Sequence, residues 1–200
     1  MVANNLDAVD EFAQPFSDPK WLFEPKKDIC ETCKSGDLGV PPSHVMSRAP
    51  FQVLVLPYRQ TADSLEFGVL SRADDTCHQG IAGGAEDRET PLEAAKREAR
   101  EEAGIPAEAL FIALQAMCSI PVYLFPDGFA WGDTLYVIPE YSFGVDCTGR
   151  QISLSHEHTE LHWLPFDKAR ERLTYDSNRT ALWELHQKLR GLGPRDSADY

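Results

Sequence analysis

No apolar run in this chain of 200 residues approaches the roughly 20 needed to cross a bilayer as a helix, and the mean hydropathy is −0.35. Basic residues are scarce: Lys plus Arg total 19 against 32 Asp plus Glu, for a formal net charge of −13. Nucleic-acid binding needs the opposite balance, because phosphates are neutralised by basic surface. An anionic lipid surface would repel such a chain for the same reason. Neither nucleic acid nor a membrane is therefore expected as a partner. The cysteines number only five, Cys30, Cys33, Cys77, Cys118 and Cys147, and are odd and scattered. Cys30 and Cys33 form a C-x-x-C pair, but no second pair follows to complete a four-ligand zinc site. They are read as plain thiols, with zinc or redox roles as lesser alternatives. The opening MVANNLDAVDEF has no basic segment followed by an apolar run, so the expected setting is the cytoplasm.

What is present suits one globular domain with a core of its own, since 42% of residues are apolar and 26% charged. Residues 1–48 are turn-rich but carry Phe12, Phe16, Trp21 and Phe23. This segment reads as an arm that packs on the body or on a partner subunit, which would allow a homodimer. The body spans 49–190, and 191–200 form a flexible polar tail. PFQVLVLPYR and LEFGVLSR read as paired strands, and GIAGGAEDRE as a glycine-rich loop. Thr90, Pro91 and Glu93 then supply a cap, a first-turn proline and a capping box for a helix that ends at Gly104. Leu92, Ala95, Ala99 and Ala103 form its apolar stripe. Further strands are expected within EALFIALQAMCSIP, DTLYVIPEYSFGV and LHWLPF, and helices over 167–173 and 177–190. Strands unevenly separated by helices give an α/β or α+β body and fit a doubly wound parallel sheet poorly.

The chemical signal lies in residues 83–105, GGAEDRETPLEAAKREAREEAGI. Glu98, Glu101 and Glu102 stand at i, i+3 and i+4 and share one helix face. Crowded carboxylates repel one another, and positive charge must offset that repulsion. Divalent cations with oxygen ligands match the need. A solvated acidic face paired with Arg and Lys explains the helix alone equally well. The flanking loop shifts the balance, because Gly83 and Gly84 permit close approach of a ligand and Glu89 adds a fourth carboxylate or orients Arg97.

The spacing runs Gly83, five residues, Glu89, seven residues, Arg97-Glu98-Ala99, one residue, Glu101-Glu102, one residue, Gly104-Ile105. This pattern resembles the box of the Nudix (MutT-like) pyrophosphohydrolases at every fixed position. The resemblance implies an α/β/α sandwich with a mixed β-sheet, and a divalent-metal-dependent hydrolase of phosphoanhydrides using Mg²⁺ or Mn²⁺. It implies Glu98 and Glu102 as core metal ligands, Glu101 as ligand or partner of metal-bound water, Glu89 and the Gly83 carbonyl as accessories, and Arg97 as the group that holds a carboxylate in place. Glu101, Glu102 and Arg97 enter on that basis as catalytic residues. The general base is either a box glutamate or a distal loop glutamate, and Glu157 is the foremost distal candidate, with Glu160 as the alternative.

A looser likeness over about residues 50–190 is to the branch acting on dihydroneopterin triphosphate or dATP. It rests on His156-Glu157-His158 before Trp163 and on Ser177-Asn178-Arg179. It implies substrate contacts at Arg72, Asn178 and Arg179, with Trp131, Tyr136, Tyr141 and Phe143 available to stack on a ring; strand alternation also makes some of these aromatics core residues, and helix capping explains Asn178 and Arg179 equally well. Cys77-His78-Gln79 stands where that branch tends to have an aromatic before the box glycine, so ring recognition is expected to differ. The expected reaction converts a nucleoside or pterin triphosphate to monophosphate and pyrophosphate. Alternatives are ADP-ribose, a nucleotide sugar or a dinucleoside polyphosphate as substrate, or a nucleotide-sensing module that does not turn over.

Overall fold

The computed structural model describes residues 48–193 apart from 75, 87 and 126–130. The aromatic arm, Cys30, Cys33 and residues 194–200 lie outside the described residues. Seven strands form one mixed sheet: β1 (Arg48–Gln60), β2 (Leu65–Arg72), β3 (His78–Gln79), β4 (Ile81–Glu86), β5 (Phe111–Pro121), β6 (Val137–Asp146) and β7 (His158–Leu164). The main path runs β3-β2-β1-β6-β5, with β4 pairing β1 and β7 pairing β2. β1 and β6 are parallel, and the other observed pairings are antiparallel. The helices are α1 (Pro91–Ala103), α2 (Phe166–Arg172) and α3 (Asp176–Leu189).

The sequence VLVL explains why β1 sits centrally. Side chains alternate across a sheet, and both faces of this strand are apolar. Val53 and Val55 join the core beneath α1, together with Ile81, Ala95, Ala99 and Val145. Leu54 and Leu56 join the opposite core, beneath α2 and α3, with Phe67, Leu173, Leu182 and Leu185. Helices thus cover both faces, as the expected α/β/α sandwich requires.

Two local expectations need correction. The segment read as a glycine-rich loop is mostly strand: Ile81–Glu86 pairs antiparallel with β1, bringing Gly83 opposite Val53 and Gly84 opposite Gln52. Glycine weakens strands by its entropy, but here the ladder to β1 and the packing of α1 override that preference. The inner face of α1 also differs. Leu92 is 42% exposed, whereas Ala94, Ala95, Ala99 and Ala103 are buried. Four alanines let the helix lie close to β4, and Glu98 and Glu102 on the same side are buried with them. The capping box at Thr90 and Glu93 is present, and Gly104 closes the helix in the left-handed region at φ 64°.

Leu185 is fully buried, so Leu185→Ala should cost roughly 2–5 kcal/mol of stability. Leu92→Ala should cost under about 1 kcal/mol. Urea unfolding monitored by circular dichroism checks both values.

Candidate functional site

Arg97 organises the glutamate face. Its Nε and Nη2 donate to the two oxygens of Glu89 at 2.8 and 2.9 Å. Nη1 donates to Glu98 Oε1 at 2.8 Å and to Glu101 Oε2 at 3.1 Å. Nη2 also donates to the carbonyl of Gly84 at 2.8 Å, which ties α1 to β4. Fork-shaped donors to carboxylates are among the strong hydrogen bonds, and they hold Glu89 well below the usual carboxylate range.

Glu98 and Glu102 lie deeper. Burial, partly countered by Arg97, pushes the Glu98 carboxyl up to about 7. A Cβ on Gly83 would stand 2.0 Å from the Glu98 carboxyl carbon, so only glycine admits this carboxylate against the strand. Glu102 Oε2 accepts from Nε2 of His158 at 2.6 Å, with both groups buried. A carboxylate only accepts, so the histidine proton is on Nε2. His158 Nδ1 is buried without a partner among the described residues. The loop leading to β7 is docked on the last turn of α1, where Ser153 and Ser155 donate their amides to the carbonyls of Ala103 and Glu102. Glu101 is exposed.

Beside this face opens a cleft of about 550 Å³, lined by Arg48, Arg72, Gln52, Glu140, Asn178, Phe125 and others. A second hollow, bounded by Gly84, Glu86, Arg97 and Glu98, shares Arg48 with the cleft. Arg48 lies with its guanidinium carbon 4.8 Å from the Phe125 ring centroid, and its Nε is buried without a partner among the described residues.

Of the residues expected to touch substrate, Arg72 and Asn178 line the cleft. Arg72 is gripped by Asp74 through two hydrogen bonds of 2.7 and 2.6 Å. Asn178 is buried, and its Oδ1 accepts from the Gly80 amide. Trp131, Tyr136 and Arg179 are not among the lining residues. Trp131 donates to the Arg48 carbonyl and meets Phe125 edge-on, supporting the wall at one remove. Tyr136 is 79% exposed. Arg179 is taken up by the carbonyls of Arg170 and Leu173 and by Asp176. Phe143 and Tyr141 belong to the core beneath α1 rather than to the cleft. Glu157 is exposed, and its carbonyl accepts from the Ala73 amide next to Arg72. Glu160 faces His162.

Sequence reading missed Arg48, Glu140 and His158 as parts of the site. Only the flanking of Glu157 by two histidines hinted at the last, since strand pairing brings these groups in from afar.

The NUDIX domain model matches residues 52–183. The chain belongs to the Nudix family. A Nudix hydrolase from Listeria monocytogenes is 41% identical, over 72% of this chain and 96% of that one, with a TM-score of 0.66. The E. coli dihydroneopterin triphosphate pyrophosphohydrolase is 25% identical over 70% of this chain and 99% of its own, with a TM-score of 0.58. An Ap4A hydrolase from C. elegans, at 19% identity over 72% of this chain and all of its own, shares the fold with a TM-score of 0.56. No match was found among the curated proteins. Like its Nudix relatives, this protein is a phosphoanhydride hydrolase, and Nudix hydrolases generally use divalent metal ions.

The donor set fits such an ion in its chemistry. Carboxylate and carbonyl oxygens suit hard divalent cations, and Glu98 lacks enough positive charge nearby to offset its burial. Among the described residues no three acidic, histidine or cysteine side chains already converge in ligating positions. Arg97 draws Glu98 and Glu101 to itself, and His158 draws Glu102.

Gly83→Ala should displace the Glu98 carboxylate and lower turnover by at least about tenfold while the chain stays folded, as steady-state kinetics and circular dichroism will report. A second expectation concerns pH. The folded state holds the Glu98 proton up to about 7, against an ordinary value of 4.5, so the folded state binds more protons than the unfolded one within that window. In metal-free protein, stability should therefore fall as pH rises from about 4.5 to about 7. Glu98→Gln should flatten this part of the profile of unfolding free energy against pH.

Proposed function

We propose that the protein is a divalent-metal-dependent pyrophosphohydrolase that cleaves a nucleoside or pterin triphosphate to the monophosphate and pyrophosphate. The observation that carries this reading is the sharing of Arg48 between the cleft and the hollow beside Glu98. A ring held in the cleft can send its phosphate chain past this arginine to the carboxylates. The cleft volume of about 550 Å³ suits a nucleotide-sized ligand. The name of the E. coli relative supports the triphosphate class. A cytoplasmic setting fits the odd count of five cysteines.

Glu98 and Glu102 would be the principal holders of Mg²⁺ or Mn²⁺, joined by Glu101 and the Gly83 carbonyl. Bound there, the ion supplies charge neutralisation at the phosphoryl oxygens and makes water more acidic. Arg97 and Glu89 keep the carboxylate face rigid, and His158 fixes Glu102. Arg72 and Arg48 bind phosphate oxygens, and Asn178 lines the ring end of the cleft. Water forms a new P–O bond at the phosphorus that ends in the monophosphate. The bridging P–O bond breaks, pyrophosphate leaves, and the water proton passes to Glu157. That glutamate is assigned as base because its loop is anchored both to α1 and beside Arg72.

Incubation with Mg²⁺ and dATP, the other nucleoside triphosphates, dihydroneopterin triphosphate, ADP-ribose, NADH and diadenosine polyphosphates tests the reading. A triphosphate should be preferred and should release pyrophosphate, and Glu102→Gln should lose at least about 100-fold in rate. Preference for ADP-ribose would overturn the triphosphate assignment. Binding without turnover would point to a sensor.

A further inference from the structure

Three arginines surround the site, and their charges are not equally spent. Arg97 commits all five of its N–H donors to Glu89, Glu98, Glu101 and the Gly84 carbonyl. Arg72 is held by both oxygens of Asp74. Arg48 differs. The chain carries a net charge of −13, yet no carboxylate forms an ion pair with Arg48 among the described residues, and its Nε is buried without a partner there. Its position is nonetheless fixed. The Arg48 carbonyl accepts from Trp131 Nε1 at 2.6 Å, and the guanidinium lies over the Phe125 ring, which Trp131 in turn meets edge-on.

Gly84 makes the seat. A Cβ there would overlap Nε, Cζ and Nη2 of Arg48, so the guanidinium rests directly on the strand backbone. Neighbours along a strand point to opposite faces: Gly83 admits the Glu98 carboxylate, and Gly84 admits Arg48. The φ of Gly84 lies outside the left-handed region, so the site uses its want of a side chain and not its backbone freedom. Strand register sets Gly84, Gln52, Glu140 and Cys118 in one row across β4, β1, β6 and β5. Arg48 thus stands at the end of the cleft wall that leads to the glutamate face.

We infer that Arg48, seated on Gly84, holds the phosphate nearest the ring without help from the metal ion, and keeps the monophosphate product after pyrophosphate has left. This rests on the triphosphate reading above. A phosphate chain entering from the cleft meets Arg48 before it meets Glu98, so the phosphate at Arg48 is the one bonded to the ring-bearing group. An arginine without a carboxylate partner gains the full charge-assisted hydrogen bond to that phosphate, because no internal pair has to be given up. The monophosphate is therefore a competitive product inhibitor whose affinity does not depend on the ion.

The test is calorimetric titration of the full chain in EDTA with dihydroneopterin monophosphate and the common nucleoside monophosphates, at about pH 8, where a phosphate monoester is close to a dianion. The tightest of these should bind at least about tenfold more weakly to Arg48→Met and to Gly84→Ala. Its phosphate-free parent should be weaker by a similar factor on the unaltered protein. The double variant Glu98→Gln, Glu102→Gln should bind the monophosphate no more weakly than the unaltered protein, since carboxylates without an ion only repel it. Gly84→Ala displaces the end of a flexible side chain, so its melting profile and Mn²⁺ affinity should be unchanged. Absence of monophosphate binding in EDTA, undiminished binding in Arg48→Met or Gly84→Ala, or loss of binding in the double glutamine variant would each overturn the inference. So would a fall in the Mn²⁺ affinity of Gly84→Ala, which would mark a general structural role. Hydrolysis is not read, so this outcome is separate from that of the triphosphate reading, which fails if no triphosphate yields pyrophosphate.

Discussion

One guanidinium holds the glutamate face together. Arg97 bonds Glu89 before the helix, Glu98 and Glu101 on it, and the carbonyl of Gly84 on the neighbouring strand. A lysine could not replace it, since the planar fork satisfies several partners in fixed directions at once. Yet one cation cannot neutralise the carboxylates gathered around it. Glu98 remains raised by burial, and Glu102 relies on an imidazole from another part of the chain. The fold thus preserves a concentration of oxygen donors that is incomplete without added positive charge. That incompleteness is the physical basis for reading the face as a cation-dependent phosphoanhydride site.

The sheet divides the labour. On one face, the four alanines of α1 allow a close approach, and Gly83 clears the space that the Glu98 carboxylate occupies. On the other, the row through Gln52, Glu140 and Cys118 makes the polar wall of the cleft, which α3 closes with Ser177 and Asn178. The two regions meet near the edge strand β4, where Arg48 touches both hollows. The glutamate face and the polar cleft wall are therefore built on different elements.

The box helix was legible in the sequence because its signals are local. Thr90, Pro91, Glu93 and Gly104 act within a turn of themselves, and all four do in the fold what their residue types favour. β4 was not legible, because its strand character comes from a ladder to β1 some thirty residues earlier rather than from the propensity of a glycine pair. Leu92 misled for a related reason. Helical spacing shows which residues share a face but not which small residues permit the closest approach. Arg48, Glu140 and His158 escaped notice because each reaches the site through pairing between strands distant in sequence. The aromatics were open to stacking or to core packing by alternation, and alternation along β6 turns Tyr141 and Phe143 into the core beneath α1.

We expect Glu98 and Glu102 to form a cation site in the protein itself, before any substrate arrives. Titration with Mn²⁺ in the absence of nucleotide, followed by electron paramagnetic resonance of the free ion, addresses it directly. Binding should be saturable and should be lost when Glu98 and Glu102 are both replaced by glutamine, with the circular dichroism spectrum retained. Mn²⁺ binding of equal affinity and stoichiometry in that double variant would contradict it.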